Sequence, residues 1–149
     1  MDATRMLQRV IDSRYRLAAL ETTEGDRILG VFKRLTLTTG RAVYHWTPEN
    51  GLYRLGIEHI FIPRTRAPAD VLSYIAASRH YGIYLLYGFN NALTKASLQR
   101  QLSTINSADD NVRRLVIMVG EQVDIPQTLR KDVAMIRHNV RPRVAQAGA

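Results

Sequence analysis

Short apolar runs of strand length alternate with amphipathic segments of helix length along most of this 149-residue chain. The apolar runs cover residues 15–20, 41–47, 83–89, 114–119 and 133–138. Helical patterns cover residues 3–13, a segment that follows Thr23 and closes at Gly40, and residues 67–80 and 94–105. Such alternation produces βαβ units, whose strands align in parallel with helices on both faces. We therefore predict an α/β three-layer sandwich with a mainly parallel sheet of about five strands.

Two parts of this pattern define the extent of the predicted domain. Residues 83–89 and 114–119 are almost continuously apolar, as expected for central strands that are covered on both faces. Residues 51–63 suit either a hairpin or a turn of helix, and residues 126–132 suit a short helix. We predict one α/β domain over residues 1–140, followed by a flexible tail or linker over residues 141–149.

Residues 15–37 have the layout in which nucleotide-binding folds place a phosphate loop: an apolar strand, a tight turn and an amphipathic helix. A working loop needs glycines for close backbone approach, a lysine for the phosphates and a hydroxyl for Mg²⁺. The turn here consists of Glu21, Thr22, Thr23, Glu24, Gly25 and Asp26. It has one glycine, no lysine and three acids that repel phosphate, and Thr23 and Asp26 resemble a helix capping box. We interpret it as a vestigial phosphate loop in a P-loop-NTPase-like topology.

The remaining sequence offers no recognisable catalytic pattern. The strand at 83–89 is followed by Asn90 and Asn91 where a Mg²⁺ site would need an acid. The chain has no cysteine, no G-x-S-x-G motif and four histidines in different predicted elements. We expect His45, beside Trp46 in a strand, to be partly buried rather than a metal ligand. We predict no catalytic, metal or cofactor site, and no enzyme activity from this chain alone.

The formal net charge of +8 is the most distinctive feature of the composition. A basic surface attracts nucleic acid, anionic lipid or an acidic protein. Tyr53 is a candidate stacking residue. The candidate contacts for nucleic acid or an acidic partner are Arg64, Arg66, Arg113, Arg114, Arg130, Lys131, Arg141 and Arg143. No apolar run approaches the roughly 20 residues that span a bilayer, and the amino-terminal segment is no secretory signal, so we predict a cytoplasmic protein without membrane contact.

The order of these elements, with several short cues, resembles a known family. The cues are the strand and acidic turn YRLAALET, then AVYHWTPENGL, the helix and strand APADVLSYIAASRHYG and IYLLYGFNNAL, and finally RLVIMVGEQVDIPQTLRKDVAMIRHNV with its V-x-I-P-x-x-L-x-x-D-V stretch. Together they resemble the N-terminal, non-catalytic domain of the FtsH-like AAA+ ATPases that have conserved plastid and cyanobacterial members. The resemblance covers residues 5–140.

The resemblance implies a degenerate P-loop-like domain that acts by contact. Two departures bear on this inference: Gly88 and Phe89 stand where the family has an acid, and no ATPase module follows Ala149 in this sequence, so we expect no motor activity. The expected function is protein interaction or regulation, with an AAA+ ATPase module, a similar assembly or a second copy of the chain as partner. Two alternatives stay open, a basic nucleic-acid-binding module and a domain that binds nucleotide or has an unrecognised activity.

Overall fold

The computed structural model describes residues 3–57 and 60–140. Its α-helices are α1 (Ala3–Asp12), α2 (Gly25–Thr39), α3 (Pro68–Ala77) and α4 (Ala96–Asn106). Its strands are β1 (Leu17–Thr22), β2 (Val43–Thr47), β3 (Gly51–Arg54), β4 (Gly82–Tyr87), β5 (Arg114–Gly120) and β6 (Val133–His138). Two 3-10 helices, Asn90–Thr94 and Gln127–Asp132, lie before α4 and before β6. The predicted tail at 141–149 lies outside the described residues.

The six strands form one sheet in the order β3-β2-β4-β5-β1-β6. Strand β1 pairs in parallel with β5 on one side and with β6 on the other. Strands β2, β4 and β5 continue the parallel arrangement, and the β2–β3 pair is antiparallel. This topology is that of a P-loop-NTPase-like three-layer sandwich, so the predicted fold class is confirmed.

Strand β3 is additional to the five predicted strands and lies in residues 51–63, the segment that suits either a hairpin or a turn of helix. Residues 48–50 turn the chain, and Gly51 begins β3 with φ at 79°, a conformation that glycine adopts without steric cost. The following segment then folds back alongside β3, where the Ile62 N–H donates to the Leu52 carbonyl at 2.8 Å. Residues 51–54 therefore form an edge strand rather than a turn of helix.

Two apolar layers cover the sheet. Helices α1 and α2 contribute Leu7, Ile11, Ile28 and Phe32 to the layer on one face. Helices α3 and α4 and the 3-10 helix Gln127–Asp132 cover the other face. The central strands β4 and β5 are buried on both faces, which explains why residues 83–89 and 114–119 are continuously apolar.

The helix ends confirm some of the sequence predictions and correct others. Gly40 closes α2 in the left-handed region with φ at 73°, and its N–H donates to the Thr36 carbonyl at 3.0 Å. Pro68 is the first residue of α3, a position that proline favours. The predicted capping box is wrong: Glu24 is the N-cap of α2 without a side-chain capping bond, and Thr23 is bonded elsewhere.

Candidate functional site at the carboxyl edge of the sheet

Parallel α/β sheets bind ligands beyond the carboxyl ends of their strands. At this edge β1 ends at Thr22, β4 at Tyr87, β5 at Gly120 and β6 at His138. The turn of the predicted vestigial phosphate loop, residues 21–26, begins here and leads into α2. The bonding of these side chains therefore decides what the edge can hold.

Glu21 points its carboxylate into the protein, where the side chain is 3% exposed. One carboxylate oxygen accepts the Val123 N–H at 2.9 Å from the segment after β5. The other lies 3.2 Å from Nε of Arg137 on β6. The Glu21 carboxylate, which was predicted to repel phosphate from the turn, is instead bonded to two neighbouring segments at the edge of the sheet.

The two threonines of the turn form hydrogen bonds with other residues of the protein. The Thr22 hydroxyl oxygen accepts the Glu24 N–H at 3.0 Å. Thr23 donates both its N–H and its hydroxyl to the Asn139 carbonyl, at 3.3 and 2.6 Å. Thr23 thus attaches the turn to the residue that follows β6, and the Thr22 hydroxyl is engaged within the turn.

Glu24 reinforces the same contact between the turn and the end of β6. Its carboxylate accepts a hydrogen bond from the Asn139 side-chain amide and lies 3.4 Å from the Arg27 guanidinium and 3.6 Å from Nδ1 of His138. The hydrogen bond from Asn139, followed by the charge of Arg27, holds the pKa of the Glu24 carboxyl below its ordinary value. Glu24 therefore stays ionised and engaged at neutral pH.

Gly25 lies directly against an aromatic side chain from β4. The Tyr87 hydroxyl donates to the Gly25 carbonyl at 2.7 Å. A Cβ at position 25 would lie 3.2 Å from Cε2 of the Tyr87 ring, a tight contact. The glycine is therefore used for packing of α2 against β4. Burial raises the pKa of the Tyr87 phenol well above its ordinary value, so this hydroxyl stays a donor.

His45 on β2 completes a buried aromatic cluster behind the turn. Its Nδ1 lies 2.6 Å from the Tyr53 hydroxyl, and its ring packs edge-on against Tyr87 with centroids 4.6 Å apart. Among the described residues, Nε2 of His45 has no hydrogen-bond partner. Burial lowers the pKa of His45 to about 4, while the charge of Asp26 opposes the shift. His45 is 9% exposed and so lies deeper than the partly buried position that the sequence predicts.

Tyr53 corrects a sequence interpretation. It was a candidate for base stacking, but it is 9% exposed, and its ring contacts His45 and Phe61. The alternation of β3 with its partner strand places this ring on the covered face of the sheet. The available signal was the apolar Leu52–Tyr53 pair beside a turn, which is typical of a half-buried edge strand.

The ends of β4 and β5 are joined by polar side chains. The Asp124 N–H donates to the Asn90 side-chain oxygen at 2.7 Å, and the Asn90 amide donates to the Asp124 carboxylate at 3.3 Å. Gln122 also donates to Asp124, at 2.8 Å. Asn90 thus ties together the segments after two neighbouring strands.

The structure divides the predicted basic contacts between different parts of the surface. Arg64 and Arg66 line a cleft beside the start of α3, near the carboxyl end of β2. Arg113 lies at the opposite edge and donates to the carbonyls of Ile11 and Tyr15. Arg130 and Lys131 are exposed before β6, and Arg141 and Arg143 lie outside the described residues.

Arg114 does not belong to any exposed basic surface. It is 3% exposed, donates to the Ser78 carbonyl at 2.5 Å and forms an ion pair with Asp110 at 2.8 Å. The hydrogen bond from Arg114 lowers the pKa of the Asp110 carboxyl. The sequence presents Arg113 and Arg114 as an equivalent pair, but the alternation of β5 turns the second side chain inward.

Two further properties concern metals and membranes. In the ranges 3–57 and 60–140, no three His, Asp or Glu side chains are grouped so that they could hold a metal ion. In the same ranges, no helix has the length and apolar character needed to cross a bilayer.

A family model for the N-terminal domain of SpoVK-like AAA ATPases matches residues 3–138. The chain belongs to this family. It is also 24% identical over 132 residues to the uncharacterized AAA domain-containing protein ycf46 of Trieres chinensis. That alignment covers 88% of this chain and 27% of the relative, so the chain spans about a quarter of the relative's length.

The family assignment confirms the general part of the sequence resemblance. The match extends from the start of α1 to the end of β6 and identifies an AAA+ ATPase N-terminal domain. The narrower FtsH-like grouping stays a prediction, as do the cytoplasmic location and the absence of enzyme activity.

Proposed function

We propose that this domain is a non-catalytic interaction or regulatory module that docks on an AAA+ ATPase ring or a similar assembly. Membership of an AAA ATPase N-terminal domain family supports the kind of partner. The proposal that the domain itself performs no ATP chemistry rests on the turn between β1 and α2.

The bonding of this turn is the observation that carries the proposal. A phosphate loop needs unengaged backbone N–H groups around a lysine and a hydroxyl. In this turn Glu21 is bonded to Val123 and Arg137, Thr22 accepts the Glu24 N–H, and Thr23 is bonded to Asn139. Gly25, which could admit a phosphate, is packed against Tyr87. A polyphosphate would have to displace these contacts and approach the carboxylates of Glu24 and Asp26.

Nucleotide titration combined with an ATPase assay tests this function. We expect flat calorimetric traces for ATP and ADP with Mg²⁺, and no hydrolysis by the domain. We also expect the domain to co-elute with an AAA+ module of the same family and to change its ATPase rate. An unrelated basic α/β domain of similar size is the matched control for charge effects.

Two results would contradict the proposal. One is ATP hydrolysis by the purified domain that is lost when Glu21, Glu24 and Asp26 are changed to alanine. The other is a family AAA+ module whose rate and elution are the same with and without the domain.

A further inference from the structure

We propose that the amino-terminal edge of the sheet, opposite the vestigial phosphate loop, binds single-stranded nucleic acid. A basic residue precedes each of the five parallel strands. These residues are Arg14 and Arg16 before β1, Arg41 before β2, Arg79 before β4, Arg113 before β5 and Lys131 before β6. Because the amino ends of parallel strands meet at one edge, the topology gathers charges that are dispersed in the sequence.

Main-chain hydrogen bonds confirm that these segments are neighbours. The Val116 N–H donates to the Arg16 carbonyl at 2.9 Å, and the Gly82 N–H donates to the Arg113 carbonyl at 3.2 Å. Between the segments before β1 and β5 lies a surface cleft of about 270 Å³. It is lined by Ser13, Arg14, Arg16, Asn111, Val112 and Arg113. Three arginines therefore line one depression.

Two of these arginines are held in place and one extends into solvent. Arg16 donates to the Ala108 carbonyl at 2.6 Å, and Arg113 donates to the Ile11 carbonyl at 2.6 Å. Carbonyl acceptors orient a guanidinium without cancelling its charge. Arg14 is exposed and makes no hydrogen bond or ion pair within the described part of the chain. The cleft thus combines fixed positive charge with one adaptable arginine.

The acids at this edge leave the cleft positive. Asp110, the nearest carboxylate in sequence to the start of β5, forms its ion pair with Arg114, and the charge of Arg16 makes a smaller contribution to the lowering of its pKa. Asp12 accepts a hydrogen bond from Gln8 at 3.0 Å. Asp109 is exposed beside Asp110. Three arginines face the cleft itself, and no acid is among the residues that line it.

An exposed aromatic ring favours nucleic acid over an acidic protein. Tyr15 lies between Arg14 and Arg16 in the sequence and is 43% exposed, and the Ser13 hydroxyl accepts its N–H at 3.2 Å. Proteins that bind single strands combine a positive groove for phosphates with aromatic rings on which bases stack. Acidic peptides offer the arginines a partner but give this ring none.

Salt-dependent binding of a short fluorescein-labelled oligouridine tests the proposal. We expect binding at low salt that weakens steeply as salt is raised, because counterions are released from the phosphates. Arg14→Gln should lower the slope of log affinity against log salt by about 0.7, the loss expected for one phosphate contact on a single strand. Tyr15→Leu should weaken binding about tenfold, whereas Tyr15→Phe should retain it.

The matched control is Arg100→Gln, which removes the same charge from an exposed arginine on α4. It should leave both affinity and slope unchanged. Circular dichroism should show that each variant is folded, since Arg14 and Tyr15 are exposed. The proposal is overturned by absence of binding at low salt, by equal losses for Arg14→Gln and Arg100→Gln, or by equally tight binding of polyglutamate.

Discussion

At the scale of single residues, Glu21 is a side chain whose role depends on its partners. Its buried carboxylate is bonded to the Val123 N–H and to Arg137, which joins β1 to segments on both sides. A buried charge without such partners would cost several kcal/mol. The residue is therefore expected to be structural.

We predict that Glu21→Gln destabilises the domain by about 1–3 kcal/mol, because it removes the charge that pairs with Arg137 and weakens acceptance of the Val123 N–H. Urea denaturation monitored by circular dichroism measures the change. Glu49→Gln, at an exposed turn residue, is the control and should change stability by less than about 0.5 kcal/mol. Equal effects of the two substitutions would show that the buried bonds are unimportant.

Because burial lowers the pKa of His45, we predict that the free energy of unfolding depends on pH. Its pKa in the folded protein is about 4, below the ordinary 6.5, so the unfolded chain binds the additional proton between these values. The stabilisation is therefore complete above about pH 6.5 and is lost as the pH falls towards 4, by on the order of 3 kcal/mol. Urea denaturation at about pH 7 and about pH 4.5 measures it. His45→Gln should remove this component; an unchanged pH profile in that variant would contradict the assignment.

At the scale of elements, the β2–β3 hairpin depends on one buried hydroxyl. Thr65 is 1% exposed; its hydroxyl donates to the Ile62 carbonyl at 2.7 Å and accepts the Leu52 N–H at 2.8 Å. The indole N–H of Trp46 donates to the Thr65 carbonyl at 2.6 Å. Edge strand, loop and core are thus connected through a single residue.

We predict that Thr65→Val destabilises the domain by about 1–3 kcal/mol, since the similar shape is kept while the buried Leu52 N–H loses its acceptor. Amide hydrogen exchange should show faster exchange at Leu52 than in the parent chain. Thr104→Val, on the exposed face of α4, serves as the control. Unchanged protection at Leu52 would mean that the hydroxyl does not stabilise the hairpin.

At the scale of the whole molecule, the order of the strands and helices was more predictable than the residues at which they begin and end. The bounds of β6 agree with the prediction, and β5 differs by one residue, because apolar runs of strand length identify covered strands. Strand β1 begins two residues later than predicted and includes Glu21 and Thr22. A polar residue such as Glu21 can belong to a buried strand because Val123 and Arg137, both distant in sequence, provide partners.

The candidate site was predictable in its position but not in its bonding. The strand, turn and helix occur in the predicted order, as β1 (Leu17–Thr22) and α2 (Gly25–Thr39) joined by a turn. The contacts that occupy the turn come from Asn139, Tyr87 and Val123, which belong to three other segments. The basic cleft arises in the same way, since the sheet order brings together arginines from separate segments.

The position of β1 between β5 and β6 has a consequence for how the protein is made. Of the six described strands, β1 is synthesised first, and its two neighbours β5 and β6 are synthesised after the other three. Until residues 114–138 emerge, β1 has two open edges that could pair with other nascent chains. A truncation between β5 and β6 would leave one of these edges permanently exposed, so β6 also protects the growing chain from aggregation.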